Sequence, residues 1–88
     1  LAESDVLVFP NPCADQTTIR VLVKNEKVTI QIRDLFNRLV MEVCSKSFAA
    51  GSHDIPVELG DIPSGEYLIT IMKPSGNFTK RFVKVKHI

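Results

Sequence analysis

Apolar side chains stand at every second position in several short runs of this chain of 88 residues, and turn-forming residues separate the runs. In the clearest run, Val28, Ile30 and Ile32 alternate with polar residues, which is typical of a strand that buries one face against a core. Residues 17–23 and 67–71 follow the same period. Because no window of useful length has helical periodicity, we expect an all-β protein.

Proline, glycine and asparagine divide the chain into about seven such strands. The spacing of the turns, about 8–12 residues, predicts an immunoglobulin-like antiparallel β-sandwich, and an open barrel is the alternative. Asparagine and glycine also tolerate the left-handed backbone conformation that tight turns require. The predicted turns are residues 24–26, taken as a hairpin between paired strands; residues 34–38, where Asp34 and Arg38 flank a left-handed Asn37; the bend at Gly51; residues 63–65; and residues 74–77.

The first predicted strand ends in Pro10-Asn11-Pro12. Each proline fixes its own φ at about −65° and has no backbone N–H, so neither can continue a central strand. The residue before a proline is held in an extended conformation. We therefore interpret this motif as a rigid exit from an edge strand.

Length limits the chain to one domain, residues 1–88, because a second domain could not bury a core of its own. No apolar run approaches the roughly 18–20 residues that a membrane-spanning helix needs, so we expect no membrane insertion. The sequence opens with Leu1 and shows no signal segment. We therefore expect a fragment or a processed product.

The charges are divided unevenly between the two ends of the chain. The net charge is only +1, which gives no case for nucleic acid binding. Residues 1–66 carry six basic and ten acidic side chains, whereas residues 67–88 carry five basic and no acidic ones. This basic tail indicates either contact with an acidic partner or an edge strand whose lysines prevent aggregation.

The last predicted strand places Lys80, Phe82 and Lys84 on one face, because their spacing is even. We interpret this face as an exposed basic strip around one apolar side chain. Val83 and Val85 fall on the opposite face, and we expect them to reach the core.

The sequence contains no recognisable catalytic or metal-binding set, and we expect neither enzyme activity nor a cofactor. Only His53 and His87 could act as bases near neutral pH, and His53 and the adjacent Asp54 point to opposite faces of a strand. Cys13 and Cys44 lack the spacing of metal ligands. A bridge between these two cysteines would close a loop of about 30 residues, and the sequence does not decide between a bridge and free thiols.

Six short motifs follow one another between residues 8 and 85, in an order and at a spacing that no single motif would specify. They are Phe9-Pro10-Asn11-Pro12, Thr17-Thr18-Ile19-Arg20, Val28-Thr29-Ile30-Gln31-Ile32 with Asp34-Leu35-Phe36-Asn37-Arg38-Leu39-Val40, Ala50-Gly51-Ser52-His53, Ile62-Pro63-Ser64-Gly65-Glu66-Tyr67-Leu68-Ile69 and Lys80-Arg81-Phe82-Val83-Lys84-Val85. Together they resemble the type A C-terminal sorting domain of the Bacteroidetes type IX secretion system. The sequence departs from that pattern at Asn37, where the family usually has glycine, and at Cys13, where a small or polar residue is more common.

The resemblance implies a secretion signal and not an enzyme. Domains of this family follow a cargo domain, so residues 1–7 are expected to end a linker from it, with cleavage near or upstream of residues 1–5. The cargo would pass through the periplasm to the cell surface or the medium. The implied partners are the outer-membrane shuttle or translocon and a sortase-like protease, with the domain itself a monomer. The resemblance assigns recognition to Pro63, Gly65, Tyr67, Lys80, Phe82 and Lys84, and turn roles to Pro10, Asn11, Pro12, Asp34, Asn37, Arg38 and Gly51.

Two further expectations concern how such a domain is used. A last strand with an unpaired edge could be recognised by strand addition, in which the partner supplies main-chain hydrogen bonds. The alternative function is an immunoglobulin-like adhesion or carbohydrate-binding module of a secreted protein. Sugar binding commonly needs an exposed aromatic platform, but the chain has no Trp and one Tyr, and we expect Tyr67 to be internal.

Overall fold

A computed structural model describes residues 6–86 of the chain. The predictions for His87 and for residues 1–5 lie outside this range. Seven strands and no helix form in residues 6–86, so no segment there is a helix able to cross a membrane. The strands are β1 (Val6–Phe9), β2 (Gln16–Val23), β3 (Glu26–Arg33), β4 (Leu39–Phe48), β5 (Gly51–Glu58), β6 (Gly65–Lys73) and β7 (Gly76–Lys84).

The strands form two antiparallel sheets, a three-stranded sheet in the order β1-β2-β5 and a four-stranded sheet in the order β4-β3-β6-β7. The two inner faces pack against each other, which confirms the predicted immunoglobulin-like sandwich. β1 is an edge strand, as the Pro10-Asn11-Pro12 motif predicts, and the peptide bonds that precede Pro10 and Pro12 are both cis. Val6 and Leu7, which the sequence assigns to the expected linker, pair with β2.

The connection between β2 and β3 is not the predicted hairpin. β2 pairs with β1 and β5, whereas β3 pairs with β4 and β6, so the chain crosses from one sheet to the other at residues 24–25. Asn25 has a φ of 63° there. The prediction was wrong because a short polar turn between two alternating strands fits a corner of a sandwich as well as a hairpin.

Alternation of inward and outward side chains builds the core from both sheets, as the sequence pattern predicts. The predicted inward faces of β2, β3 and β6 are all buried, and the two cysteines are both unbridged, Cys13 in the core and Cys44 half-buried. The buried apolar residues are Val6, Val8, Cys13, Ile19, Val21, Val23, Val28, Ile30, Ile32, Val57, Leu59, Tyr67, Ile69, Ile71 and Phe82.

β7 faces the core with the side that the sequence assigns to solvent. Phe82 is 0% exposed, and its ring stacks on that of Tyr67 with centroids 5.7 Å apart. Lys84 is buried as well, while Val83 is half-buried and Val85 is 42% exposed. Two predictions are therefore wrong: that Lys80, Phe82 and Lys84 form an exposed strip, and that Val83 and Val85 reach the core. Both faces of β7 carry apolar residues, and only the pairing of Phe82 with Tyr67 in the ladder decides which face points inward.

Candidate recognition site

Four of the six sequence motifs meet at one end of the sandwich, although they lie up to about seventy residues apart. β3 ends and β4 begins there, because Arg33 pairs with both Leu39 and Leu68. β6 begins and β7 ends there too, since Gly65 pairs with Lys84. We call this surface the motif end and define it as residues 10–13, 34–38, 63–67 and 81–85. The bend at Gly51, which pairs with Val23, lies at the opposite end.

Residues 11–13 run along the outer edge of β7. The Cys13 N–H donates to the Val83 carbonyl at 2.9 Å, and the Val85 N–H donates to the Cys13 carbonyl at 2.7 Å. The Asn11 side-chain amide extends the pairing, because its Oδ1 accepts from the Val83 N–H at 3.0 Å and its Nδ2 donates to the Arg81 carbonyl at 3.5 Å. From the sequence we expect the outer edge of β7 to be unpaired. In the structure, residues 11–13 cover this edge from Arg81 to Val85.

The turn before β6 is held by a buried tyrosine. The Tyr67 hydroxyl donates to the Pro63 carbonyl at 2.5 Å. A tyrosine that bonds back to the backbone a few residues upstream is a recurring corner of immunoglobulin-like sandwiches. Burial, and to a smaller extent the nearby Asp34 carboxylate, raises the pKa of Tyr67. Gly65 enters β6 with a φ of 152°, a conformation that side chains other than glycine's rarely adopt.

The Lys84 side chain is buried, and its ammonium group makes a hydrogen bond inside the protein. Its Nζ donates to the Ile62 carbonyl in the loop that precedes β6, so it ties the end of β7 to that loop. Lys73 makes a similar tie at the other end of the sandwich, where its Nζ donates to the Leu22 carbonyl at 2.7 Å. Lys80 lies half-buried on the same face of β7 as Lys84. The cations that the motif end presents to solvent are instead Arg38 and Arg81.

The turn at residues 34–38 forms as predicted. Asp34 Oδ1 accepts from the Phe36 and Arg38 N–H groups, both at 2.9 Å, and Asn37 has a φ of 65°. Arg38 Nε donates to Asp34 Oδ2 at 2.8 Å. The backbone hydrogen bond from Arg38 is the largest cause of a lowered Asp34 pKa, and the side-chain bond from the same residue and the Phe36 N–H also lower it.

This turn pushes apolar side chains into solvent. Phe36 is 80% exposed, and the Arg38 guanidinium lies over its ring at 5.3 Å from the centroid. Leu35 and Leu39 beside it are also exposed. The sequence motifs imply no recognition role for Leu35, Phe36 or Leu39. The apolar Leu35-Phe36 pair at the centre of a turn, where polar residues are usual, could have indicated this exposed site.

The recognition residues implied by the sequence motifs therefore divide into two groups. Gly65, Tyr67, Phe82 and Lys84 come together with Pro63 and build the interior of the motif end. Lys80 lies further along β7, paired with Ile69. Of the turn residues, all but Gly51 belong to the motif end.

Outside the motif end, Asp54 and His53 both contact other groups of the protein. Asp54 binds Arg20 through two hydrogen bonds, at 2.7 and 3.0 Å, and a ring nitrogen of His53 lies 2.7 Å from the Ala49 carbonyl oxygen. Within residues 6–86, no group of three or more His, Cys, Asp or Glu side chains is placed to hold a metal ion.

Comparison with known proteins identifies the family. No curated protein matches the sequence. A family model described as "Secretion system C-terminal sorting domain" matches residues 7–86, which covers six strands completely and all of β1 except Val6. This match includes every motif that forms the motif end. The chain therefore belongs to the C-terminal sorting domain family of the type IX secretion system.

Proposed function

We propose that this domain directs an N-terminal cargo across the outer membrane, and that the secretion machinery recognises it at the motif end. Membership of the family implies interaction with the type IX machinery, a cargo in the same chain and export to the cell surface or the medium. The observation that carries our proposal is the convergence of four sequence motifs at one end of the sandwich, where residues 11–13 are hydrogen-bonded to β7.

We further propose the route that the cargo takes. The precursor crosses the inner membrane, folds in the periplasm and is passed to an outer-membrane shuttle or translocon. A sortase-like protease then removes the domain at or upstream of residues 1–5. The pairing of Val6 and Leu7 with β2 supports a cut upstream of these residues, because a cut at Val6 or Leu7 would fall within a paired strand.

The burial of the motif residues supports a division of labour within the recognition site. Gly65, Tyr67, Phe82 and Lys84 determine the shape of the motif end from within. Direct contact with the machinery falls to side chains that the same end exposes, first of all Phe36 and Arg38. Aromatic residues, including phenylalanine, and arginine are both enriched at protein interfaces relative to the rest of the surface.

We also propose that the domain acts by being recognised and not by catalysis. Among residues 6–86, a ring nitrogen of His53, the one histidine there, lies 2.7 Å from the Ala49 carbonyl oxygen, and the adjacent Asp54 is held by Arg20. A carbohydrate-binding role has less support, because the chain has no Trp and its one tyrosine, Tyr67, is buried. A glycan array with the isolated domain would detect such binding.

The proposal can be tested by fusing residues 1–88 to a periplasmic reporter in a bacterium that has a type IX secretion system. We expect the reporter at the cell surface or in the medium. The same fusion in a strain without the translocon is the control and should keep the reporter in the periplasm. Periplasmic retention in both strains would overturn the proposal.

A further inference from the structure

The outer edge of β7 presents backbone groups from alternate residues. In an antiparallel ladder, a residue that does not bond to its neighbour on one side turns both its N–H and its C=O to the other side. The hydrogen bonds of residues 11–13 fall on Arg81, Val83 and Val85, so the odd-numbered residues of β7 face away from β6. The same alternation turns the backbone groups of Thr79 and Asn77 outward.

These two residues form an open half of the edge. β7 is the last strand of its sheet, and among residues 6–86 no strand pairs with its outer side between Gly76 and Lys80. Unpaired strand edges readily accept another extended chain. The edge is therefore in two parts: an open half at residues 77–80 and a half covered by residues 11–13 at residues 81–85.

Residues 11–13, the covering segment, make fewer backbone hydrogen bonds to β7 than a regular strand would. Pro10 and Pro12 have no N–H to donate, and within residues 11–13 only Cys13 bonds to β7 through its backbone. The remaining bonds come from the Asn11 side chain, one of them long at 3.5 Å. Pro10, Asn11 and Pro12 are all exposed. A regular strand in this position would continue the ladder into the open half and satisfy more of the edge.

The charges near the edge indicate the chemistry of such a strand. Residues 67–88 contain no acidic side chain, and of their five basic ones Lys73 and Lys84 are buried, whereas Arg81 and Lys86 are exposed. Arg81, on the boundary between the two halves, is largely exposed, and the nearest carboxylate oxygen, on Glu66, is 4.0 Å away. An incoming segment that carries acidic residues would find complementary charge along this edge.

We propose that the outer edge of β7 binds an extended, acidic segment of the export machinery, which pairs with Asn77 and Thr79 and displaces residues 11–13 from Arg81–Val85. This inference rests on the proposed function and names the site of contact. The displaced segment directly follows β1, so binding at the last strand would remove a constraint on β1, the first strand after the cargo. Displacement would also expose Cys13, which is 2% exposed in the free domain.

The first test removes one outward N–H by Thr79→Pro in the reporter fusion. The edge of the other sheet already carries a proline, Pro56 in β5, so such a position tolerates the loss of an N–H. We expect export to fall about three- to tenfold, the effect of one ladder hydrogen bond. Thr79→Val, which keeps the N–H, should export at least about three times as much reporter as Thr79→Pro.

The outcomes of this test separate the two proposals. Failure of the unchanged fusion to be exported would overturn the proposed function. Export of the unchanged fusion and of Thr79→Pro to the same extent would overturn only the edge inference. The melting temperature of each purified domain verifies that a loss of export is not a loss of folding.

A second measurement tests the inference without the Thr79→Pro variant, so it does not depend on the folding of that variant. In the purified domain carrying Cys44→Ser, a thiol reagent reports the exposure of Cys13. We expect Asn11→Ala to raise the labelling rate about fivefold, because it removes both side-chain bonds of the covering segment. The inference fails if Cys13 reacts only upon global unfolding, so that labelling and unfolding have the same urea dependence.

Discussion

The side-chain amide of Asn11 bonds to the backbone of Val83, 72 positions later in the sequence, with Oδ1 accepting from the Val83 N–H at 3.0 Å. Through this contact, a motif that looks like local turn chemistry fixes the start of the domain to its last strand. The Cys13 backbone continues the pairing on the same strand. The segment that follows β1 and the last strand, β7, are thus one structural unit.

Asn11→Ala should lower the free energy of unfolding by about 1 kcal/mol, because it leaves the Val83 N–H and the Arg81 carbonyl without their partner. Urea unfolding measures this. Asn77→Ala, at an exposed asparagine near the opposite end, is the control and should change stability by less than about 0.5 kcal/mol. Equal losses in the two variants would mean that the Asn11 contact contributes nothing specific.

Tyr67→Phe should lower the free energy of unfolding by about 1–2 kcal/mol while it keeps the ring stack on Phe82. The lost bond is the one from the hydroxyl to the Pro63 carbonyl, within a largely buried corner. Thermal unfolding measures the effect, with Thr29→Val as the control, since it removes the exposed bond between Thr29 and Ser45. A Tyr67→Phe domain that melts with the parent would exclude a stabilising role for this corner.

Phe36→Ala should leave stability within about 0.5 kcal/mol of the parent, because the ring is 80% exposed. Export of the reporter fusion should fall about five- to tenfold if the ring is an anchor for the machinery. Leu22→Ala is matched to it, since Leu22 is an exposed apolar residue near the opposite end. Equal export of the two variants would remove Phe36 from the recognition site.

Asp34 should make the domain less stable in acid. Its pKa is lowered in the fold, chiefly by the backbone hydrogen bond from Arg38, so the stabilisation is present above the unfolded pKa of about 4. It is lost as the pH falls below that value and through the folded pKa. The melting temperature of Asp34→Asn should therefore depend less steeply on pH below about 4 than that of the parent. Asp61→Asn is the control. If the melting temperature of Asp34→Asn depends on pH as steeply as that of the parent, the prediction is contradicted.

Local patterns were sufficient for much of the fold. Alternation alone identified the buried faces of β3 and β6, because a strand with apolar residues on one side has only one way to bury them. The turn at Asn37 followed from the tolerance of asparagine for a left-handed backbone. Within the candidate site, the motifs around Pro63, Gly65 and Tyr67 were predicted, but their arrangement in space was not.

The remaining features depend on partners that are distant in the chain. The sequence by itself determined the seven strands and the positions of their turns, since these arise from neighbouring residues, and it determined the family through the order and spacing of six short motifs. Only the tertiary structure decided that residues 24–25 cross between sheets, that Phe82 and Lys84 point inward and that residues 11–13 cover the edge of β7. A short turn fits more than one strand pairing, and a strand with apolar residues on both faces takes its orientation from its neighbour in the ladder.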